Sequence, residues 1–176
     1  MYLIDTNILS QISPTKPGLP DLTQWISDHA KDIFISVVTI AEVKAGIRNL
    51  EVKGATRRAR MLKDWLSEVL LVYADRILGV DLQTACLTGE FMAIARLAQM
   101  AEKKRAAAGD VLPLNKKEKQ RVIKTGFEDA CIAATAAING FTVLTQNVKD
   151  FRPMGAKWHD PLVILPVDEL PKRKVK

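Results

Sequence analysis

The chain has 176 residues, enough for one domain that buries a sizeable core without staples. A formal net charge of +6 tilts toward a polyanionic partner, and no apolar run approaches the roughly 18–20 residues of a membrane span, so no membrane association is expected. The two cysteines, Cys86 and Cys131, lack CxxC spacing and lie in apolar stretches, which predicts small buried hydrophobes in a reducing, cytoplasmic setting. The N-terminus has no basic segment and meets Asp5 early, which argues against a signal peptide.

In chain order, YLI (2–4) reads as a short buried strand. SPTKPGLP (13–20) has loop chemistry, and DLTQWISDHA reads as an amphipathic helix with Leu22, Trp25 and Ile26 inward. DIFIS (32–36) is a second apolar strand. TIAEVKAGIRNL places Ile40, Val43 and Ile47 at helical spacing, with Gly54 as a breaker. ATRRARMLKDWLSEVL carries Leu62, Trp65, Leu66 and Val69 on one stripe. LLVYA (70–74) is expected as a short strand. A long helix follows from about Asp81, its cap, to Ala108. The basic stretch at about 106–126 reads as a long loop or insertion. FEDACIAATAAING forms a helix closed by Gly140, FTVLT (141–145) a strand, QNVKDF a turn or short helix, and LVILPV (162–167) an edge strand. Strands alternating with helices predict an α/β fold with a mostly parallel sheet, one domain over 1–168, and a disordered basic tail at 169–176.

In parallel α/β sheets functional groups gather beyond the carboxyl ends of the strands. Asp5, Thr6 and Asn7 follow the first strand, and Thr39 and Glu42 the second. Glu128 and Asp129 open the helix that feeds FTVLT; Thr145, Gln146, Asn147 and Asp150 come after it. Several carboxylates cannot share a small site fully ionised without a cation, and an all-oxygen set suits Mg²⁺ or Mn²⁺. Zinc is not indicated: His29 and His159 are far apart, with no Cys/His spacing, and each is expected at the surface. Each acid also has a purely structural role open to it. Thr39 to Glu42 fits a capping box, Glu128 and Asp129 sit where the helix dipole favours negative charge, Asp5 could cap a helix, and Asp150 could serve a turn. Nucleotide-binding glycine loops and a GxSxG elbow are missing. Trp25, Trp65 and Phe91 fall at helical spacing with aliphatics and are expected in the core.

MYLIDTNILS, ISVVTIAEVKAGI and EDACIAATAAINGFTVLTQNVKDF, in this order, resemble PIN-domain ribonucleases, most of all the VapC/FitB toxins of toxin–antitoxin pairs. The likeness spans about residues 1–151, and its last block is the most specific. It implies a three-layer α/β/α fold and a Mg²⁺- or Mn²⁺-dependent endoribonuclease that hydrolyses RNA by metal-activated water. The family's acids fall on Asp5, Glu42 and Asp129, which would hold the metal. A fourth acid of many relatives is replaced here by Asn147, and Asp150 stands three residues on as a substitute carboxylate. Thr6, Asn7 and Thr145 match polar positions lining such sites. The resemblance also implies an antitoxin partner, a homodimer built from helices, and structured RNA as substrate.

Basic clusters then gain a role in holding an RNA backbone: Arg57, Arg58, Arg60 and Lys63 on one helix, Lys103 to Arg105 at the end of the long helix, and Lys116, Lys117, Lys119, Arg121 and Lys124 before Asp129. Two other readings compete. A phosphatase using an aspartyl nucleophile wants a second acid at position 7, where Asn7 cannot donate a carboxyl proton. A catalytically degenerate PIN fold that binds RNA or protein has Asn147 in its favour and the acids Asp5, Glu42 and Asp129 against it.

Overall fold

A computed structural model of the chain describes residues 1–16, 19–107 and 126–161. Three apolar triplets or quartets form its centre: β1 (Tyr2–Ile4), β2 (Ile33–Ser36) and β4 (Thr142–Leu144), with the shorter β3 (Ile77–Leu78) and β5 (Trp158–His159) at the sides. All pairings are parallel and the order is β3-β2-β1-β4-β5. The register sets Ile4 beside Ile35 on one side and Leu144 on the other.

The helices are α1 (Thr6–Gln11), α2 (Pro20–Asp28), α3 (Val37–Val52), α4 (Thr56–Val72), α5 (Leu82–Ala107), α6 (Phe127–Asn139) and α7 (Val148–Phe151). Strand alternation splits them into two layers, because successive side chains point to opposite faces. Ile4, Ile33, Ile35 and Leu144 pack with Ile8 and Leu9 of α1, Leu22 of α2, Val43 and Ile47 of α3, and Leu66 and Val69 of α4. Leu3 and Val143 pack the other way, against Ala130, Ile132, Ala133 and Ala136 of α6 and Phe151, with Phe91 and Met92 of α5 alongside. Both faces of the sheet are therefore covered, which is why its central strands are continuous apolar runs. The alanine run of α6 lets that helix lie close to the sheet; its residues 130–136 are all buried. This is the expected three-layer α/β/α architecture.

Several expectations need correction. LLVYA is not a strand: α4 runs on to Val72, and the strand comes later, at Ile77–Leu78. The helical stripe Leu62, Leu66, Val69 simply continues, and burial on one face outweighs the β-propensity of the valines and Tyr73. The KWHDP segment around His159 supplies edge strand β5, with Leu144 beside His159. LVILPV, the basic tail and residues 108–125 of the insertion lie outside the described residues. Cys131 is buried but Cys86 is exposed on α5, because that helix presents only one face to α6. The histidines are half-buried rather than superficial. His29 stacks on Trp25 with ring centroids 4.1 Å apart, and His159 lies 5.6 Å from the same indole.

Glycine ends behave as their chemistry requires. Gly140 (φ 67°) terminates α6 and Gly54 (φ 76°) follows α3, both in the left-handed region that glycine enters without a Cβ penalty. At α5 the Asp81 carboxylate accepts the Thr84 backbone N–H at 2.8 Å, the cap read from sequence.

Candidate active site

The strand order places the site. From β1 the chain steps to β2 and β3 on one side, then crosses to β4 and β5 on the other. The gap between β1 and β4 at their carboxyl ends is the topological switch point, where open α/β sheets bind ligands. Asp5 follows β1 there, and its backbone N–H still joins the ladder by donating to Leu144 O at 3.0 Å. Thr145 stands beside it at the end of β4, and its N–H donates to His159 O at 2.9 Å.

Asp5 is only 4% exposed. Its carboxylate makes no capping hydrogen bond to α1, so capping does not account for it. Instead it accepts the Thr145 hydroxyl at 2.6 Å. Thr145 is wholly buried and is itself held on two sides: Asn7 Nδ2 donates to its oxygen at 3.1 Å and the Asn147 N–H at 2.8 Å. Asn7 also accepts the Gln146 N–H at 3.3 Å. Thus Asn7, Thr145 and Asn147 form one polar scaffold that fixes Asp5, and the side chain of Asn147 donates to Asp150. The amide at 147 is therefore not idle: it joins the scaffold to the fourth carboxylate, Asp150, which is 4% exposed.

Glu42 reaches this edge for a reason the sequence concealed. The cap of α3 is Ser36, whose buried hydroxyl accepts the Val38 N–H at 3.2 Å, so α3 starts at Val37 and Thr39 lies inside it. Thr39 is wholly buried and donates to Ile4 O at 3.3 Å. The expected capping box from Thr39 to Glu42 does not form, and Glu42 instead accepts the hydroxyl of Thr6. A serine directly after an apolar strand is a capping signal in its own right, and it went unread.

Asp129 retains part of its structural role. One oxygen accepts the Gly126 N–H at 3.2 Å, half of a capping box, since glycine has no side chain to return the bond. Its neighbour Glu128 is exposed. Electrostatics tie the acids together. Burial pushes the Asp5 carboxyl up to about 6; the bonds from Thr145 and the nearby N–H groups of Thr6 and Asn7 lower it, and the charge of Glu42 raises it. Burial likewise drives Asp129 up to about 7, eased by the Gly126 N–H and reinforced by Asp5, Asp150 and Glu42 in turn. Among the described residues, no cationic side chain figures in the shift of either acid. Asp129 thus feels the charges of three other carboxylates, Asp5, Glu42 and Asp150, brought to one edge by separate elements. Their side chains are not drawn into a finished coordination shell: among the described residues, no group of three His, Cys, Asp or Glu stands ready to hold a metal ion.

The basic residues are divided by the fold. Arg57 and Arg58 are exposed at the start of α4. Arg58 also lines a cleft that includes Thr6 and Glu42, so it faces the acids' side of the molecule. Lys63 is occupied with Glu51. Lys116, Lys117 and Arg121 lie outside the described residues. Sequence reading missed the α1–α3–α4 cleft altogether, because its walls come from segments far apart in the chain.

With this geometry the comparisons with known proteins agree. A PIN domain family profile matches residues 2–156, and the chain belongs to the PIN-domain family. The plasmid stability protein StbB of Pseudomonas syringae pv. tomato is 30% identical over 163 residues, covering 92% of this chain and 98% of that protein. The VapC ribonuclease Y4jK of Sinorhizobium fredii is 26% identical over 156 residues, 88% of this chain and 93% of its own. The crystal structure of FitAcB from Neisseria gonorrhoeae shares the fold with a TM-score of 0.69 at 22% identity, covering 93% of this chain and 100% of that one.

Proposed function

We propose that this protein is a divalent-metal-dependent endoribonuclease and the toxin of a toxin–antitoxin pair. The observation that carries the reading is the set of carboxylates at the β1/β4 switch point, where burial and the charge of Glu42 raise Asp5, and burial and the charges of Asp5, Asp150 and Glu42 raise Asp129. Oxygen donors of this kind fit a hard cation such as Mg²⁺ or Mn²⁺. Asp5, Glu42 and Asp129 would hold it, and Asp150 would complete the acidic set. When bound, such an ion supplies Lewis acidity toward a phosphate oxygen and lowers the pKa of water toward neutrality.

The chain's own residues then have distinct tasks. Thr145 fixes the Asp5 carboxylate by its hydroxyl bond, and Asn7 and Asn147 fix Thr145. Thr6 orients Glu42. Asn147 orients Asp150. Burial of Asp5 limits competing water at the switch point. Because Asn7 stands where the phosphatase pattern needs its proton-donating second acid, hydrolysis would proceed by direct in-line attack of water on phosphorus. Arg57, Arg58, Lys116, Lys117 and Arg121 would hold the RNA backbone.

The toxin reading rests on the VapC and FitB relatives; Toxin FitB of Neisseria gonorrhoeae is 27% identical over 167 residues. A small antitoxin protein is the partner this assigns, and inhibition of translation or growth the outcome. A homodimer is supported by Leu97 and Met100 of α5, which are apolar and exposed. Among the described residues no helix is long and apolar enough to cross a membrane, in keeping with action in the cytoplasm. A single domain over 1–168 with a basic insertion at 106–126 is the organisation proposed.

The test is incubation of purified protein with single-stranded and structured RNA in Mn²⁺, Mg²⁺ or EDTA. Water attack predicts cleavage with metal only and fragments ending in 5′-phosphate and 3′-hydroxyl. Cyclic phosphate ends formed equally in EDTA would overturn it.

A further inference from the structure

Beside the acids lies a second feature that the reaction as described does not use. A cleft of about 220 Å³ runs between α1 with the turn after it, α3 and α4, and two of its lining residues, Thr6 and Glu42, also belong to the acidic site. One wall carries the hydroxyls of Thr6, Ser10, Ser13 and Thr15; the opposite wall is aliphatic with the half-buried indole of Trp65; Lys16 and Arg58 supply positive charge.

We propose that this cleft is a nucleoside subsite: it receives the nucleoside flanking the scissile phosphate, with Arg58 and Lys16 on the adjoining phosphate. The inference rests on the nuclease reading and names how that site would hold its substrate. Three observations support it. The cleft is continuous with the acids through Thr6 and Glu42, so a strand whose phosphate lies among the carboxylates has its next unit at the cleft mouth. Its walls match the parts of a nucleotide. An apolar wall with an indole suits the face of a base, hydroxyls suit ribose, and cations suit phosphate. Its size also counts: it is smaller than the roughly 300–1,000 Å³ of drug-sized pockets, which suits one nucleoside. The charge arrangement separates Arg58 from the rest of its cluster. Arg58 lines the cleft as well as a shallow depression at the start of α4, whereas Arg57 borders that depression and is not among the cleft's lining residues.

The test uses two measurements on Arg58→Ala and Lys16→Ala, with Lys53→Ala, an exposed lysine outside the cleft, as the charge-matched control. The first is anisotropy of a short fluorescent single-stranded RNA on the Asp5→Asn background at several salt concentrations, which needs no cleavage. The second is kcat and KM for cleavage with Mn²⁺ on the wild-type background. Arg58→Ala is expected to weaken binding about tenfold and to reduce the salt slope by about 0.7, the loss of one phosphate contact on a single strand. KM should rise with kcat nearly kept, and Lys53→Ala should match wild type in both assays. Affinity and slope unchanged in both cleft variants, or a loss equally large in Lys53→Ala, overturns the subsite while leaving the nuclease reading intact. A variant that keeps its RNA affinity but no longer binds a protein partner also overturns it, by assigning the cleft to that partner. RNA held through Arg58 yet never cut has the opposite meaning: the subsite stands and the nuclease reading falls.

Discussion

Thr145 is the residue on which most of the site converges. Its oxygen, on a wholly buried residue, donates to Asp5 and receives two N–H groups, from the half-buried Asn7 and Asn147. Thr145→Val keeps the shape but leaves those two donors and the carboxylate without their partner. It should cost about 1–3 kcal/mol of stability per orphaned group at most, read by urea denaturation, and lower kcat more than it raises KM. The pH dependence follows from Asp5 and Asp129, with folded pKa values of about 6 and 7, both above the ordinary carboxylate value near 3.8. A raised acid binds its proton more tightly in the folded state, so its contribution is complete below the unfolded pKa and is lost as pH rises through the folded one. Metal-free protein in EDTA should therefore melt at lower temperature at pH 8 than at pH 5. For Asp5 the loss is roughly 3 kcal/mol at most. Mn²⁺ should restore the melting temperature at pH 8 and do little at pH 5. Equal melting temperatures across that range, with or without Mn²⁺, would show that these acids do not share a cation-seeking field.

At the scale of the element, the sheet's two-sided burial makes its strands legible and its helix ends less so. YLI, IFIS and TVL read as strands because apolar residues must fill both faces. Helix α6 read well because Gly140 marks its end and alanines mark its buried face. The start of α3 was misplaced by two residues because Ser36 and Thr39 are both capping residues, and the folded bonds decide between them: Ser36 accepts the Val38 N–H while Thr39 donates to Ile4 O. The strand β3 was misplaced because a helical stripe and a strand cannot be told apart in LLVYA without knowing which face is covered. Two substitutions test this level. Phe151→Ala, at a residue with no exposure on the α6 side of the sheet, should cost about 3–5 kcal/mol. Gly140→Ala, forced to keep φ near 67°, should cost about 1 kcal/mol and leave cleavage rates unchanged. Thermal denaturation followed by circular dichroism measures both.

For the whole molecule, the strand order matters more than any single motif. Order β3-β2-β1-β4-β5 puts the first strand in the middle, so Asp5, at the very start of the chain, becomes the floor of the site. The sequence revealed the acids and their common edge, because parallel strands and their feeding helices send their ends to one side. It did not reveal the α1–α3–α4 cleft, whose walls are brought together only by packing of Ile47, Leu62 and Trp65 on the sheet. Nor did it reveal that Asn147 ties Asp150 to the scaffold of Asp5 rather than leaving a gap in the acidic set. At this scale the account predicts a salt-sensitive enzyme, since RNA held by basic residues releases counterions on binding. Raising monovalent salt should increase KM steeply while kcat changes little.

The most direct measurement is metal-dependent RNA cleavage by the wild type and by Asp5→Asn, each shown to be folded by circular dichroism. The account predicts cleavage by the wild type in Mn²⁺, none in EDTA, and a rate at least about a hundredfold lower in Asp5→Asn, in line with the loss of an electrostatic anchor at a reacting centre. A folded Asp5→Asn protein that cuts RNA as fast as the wild type, or a wild type that leaves RNA intact with metal present, would contradict it.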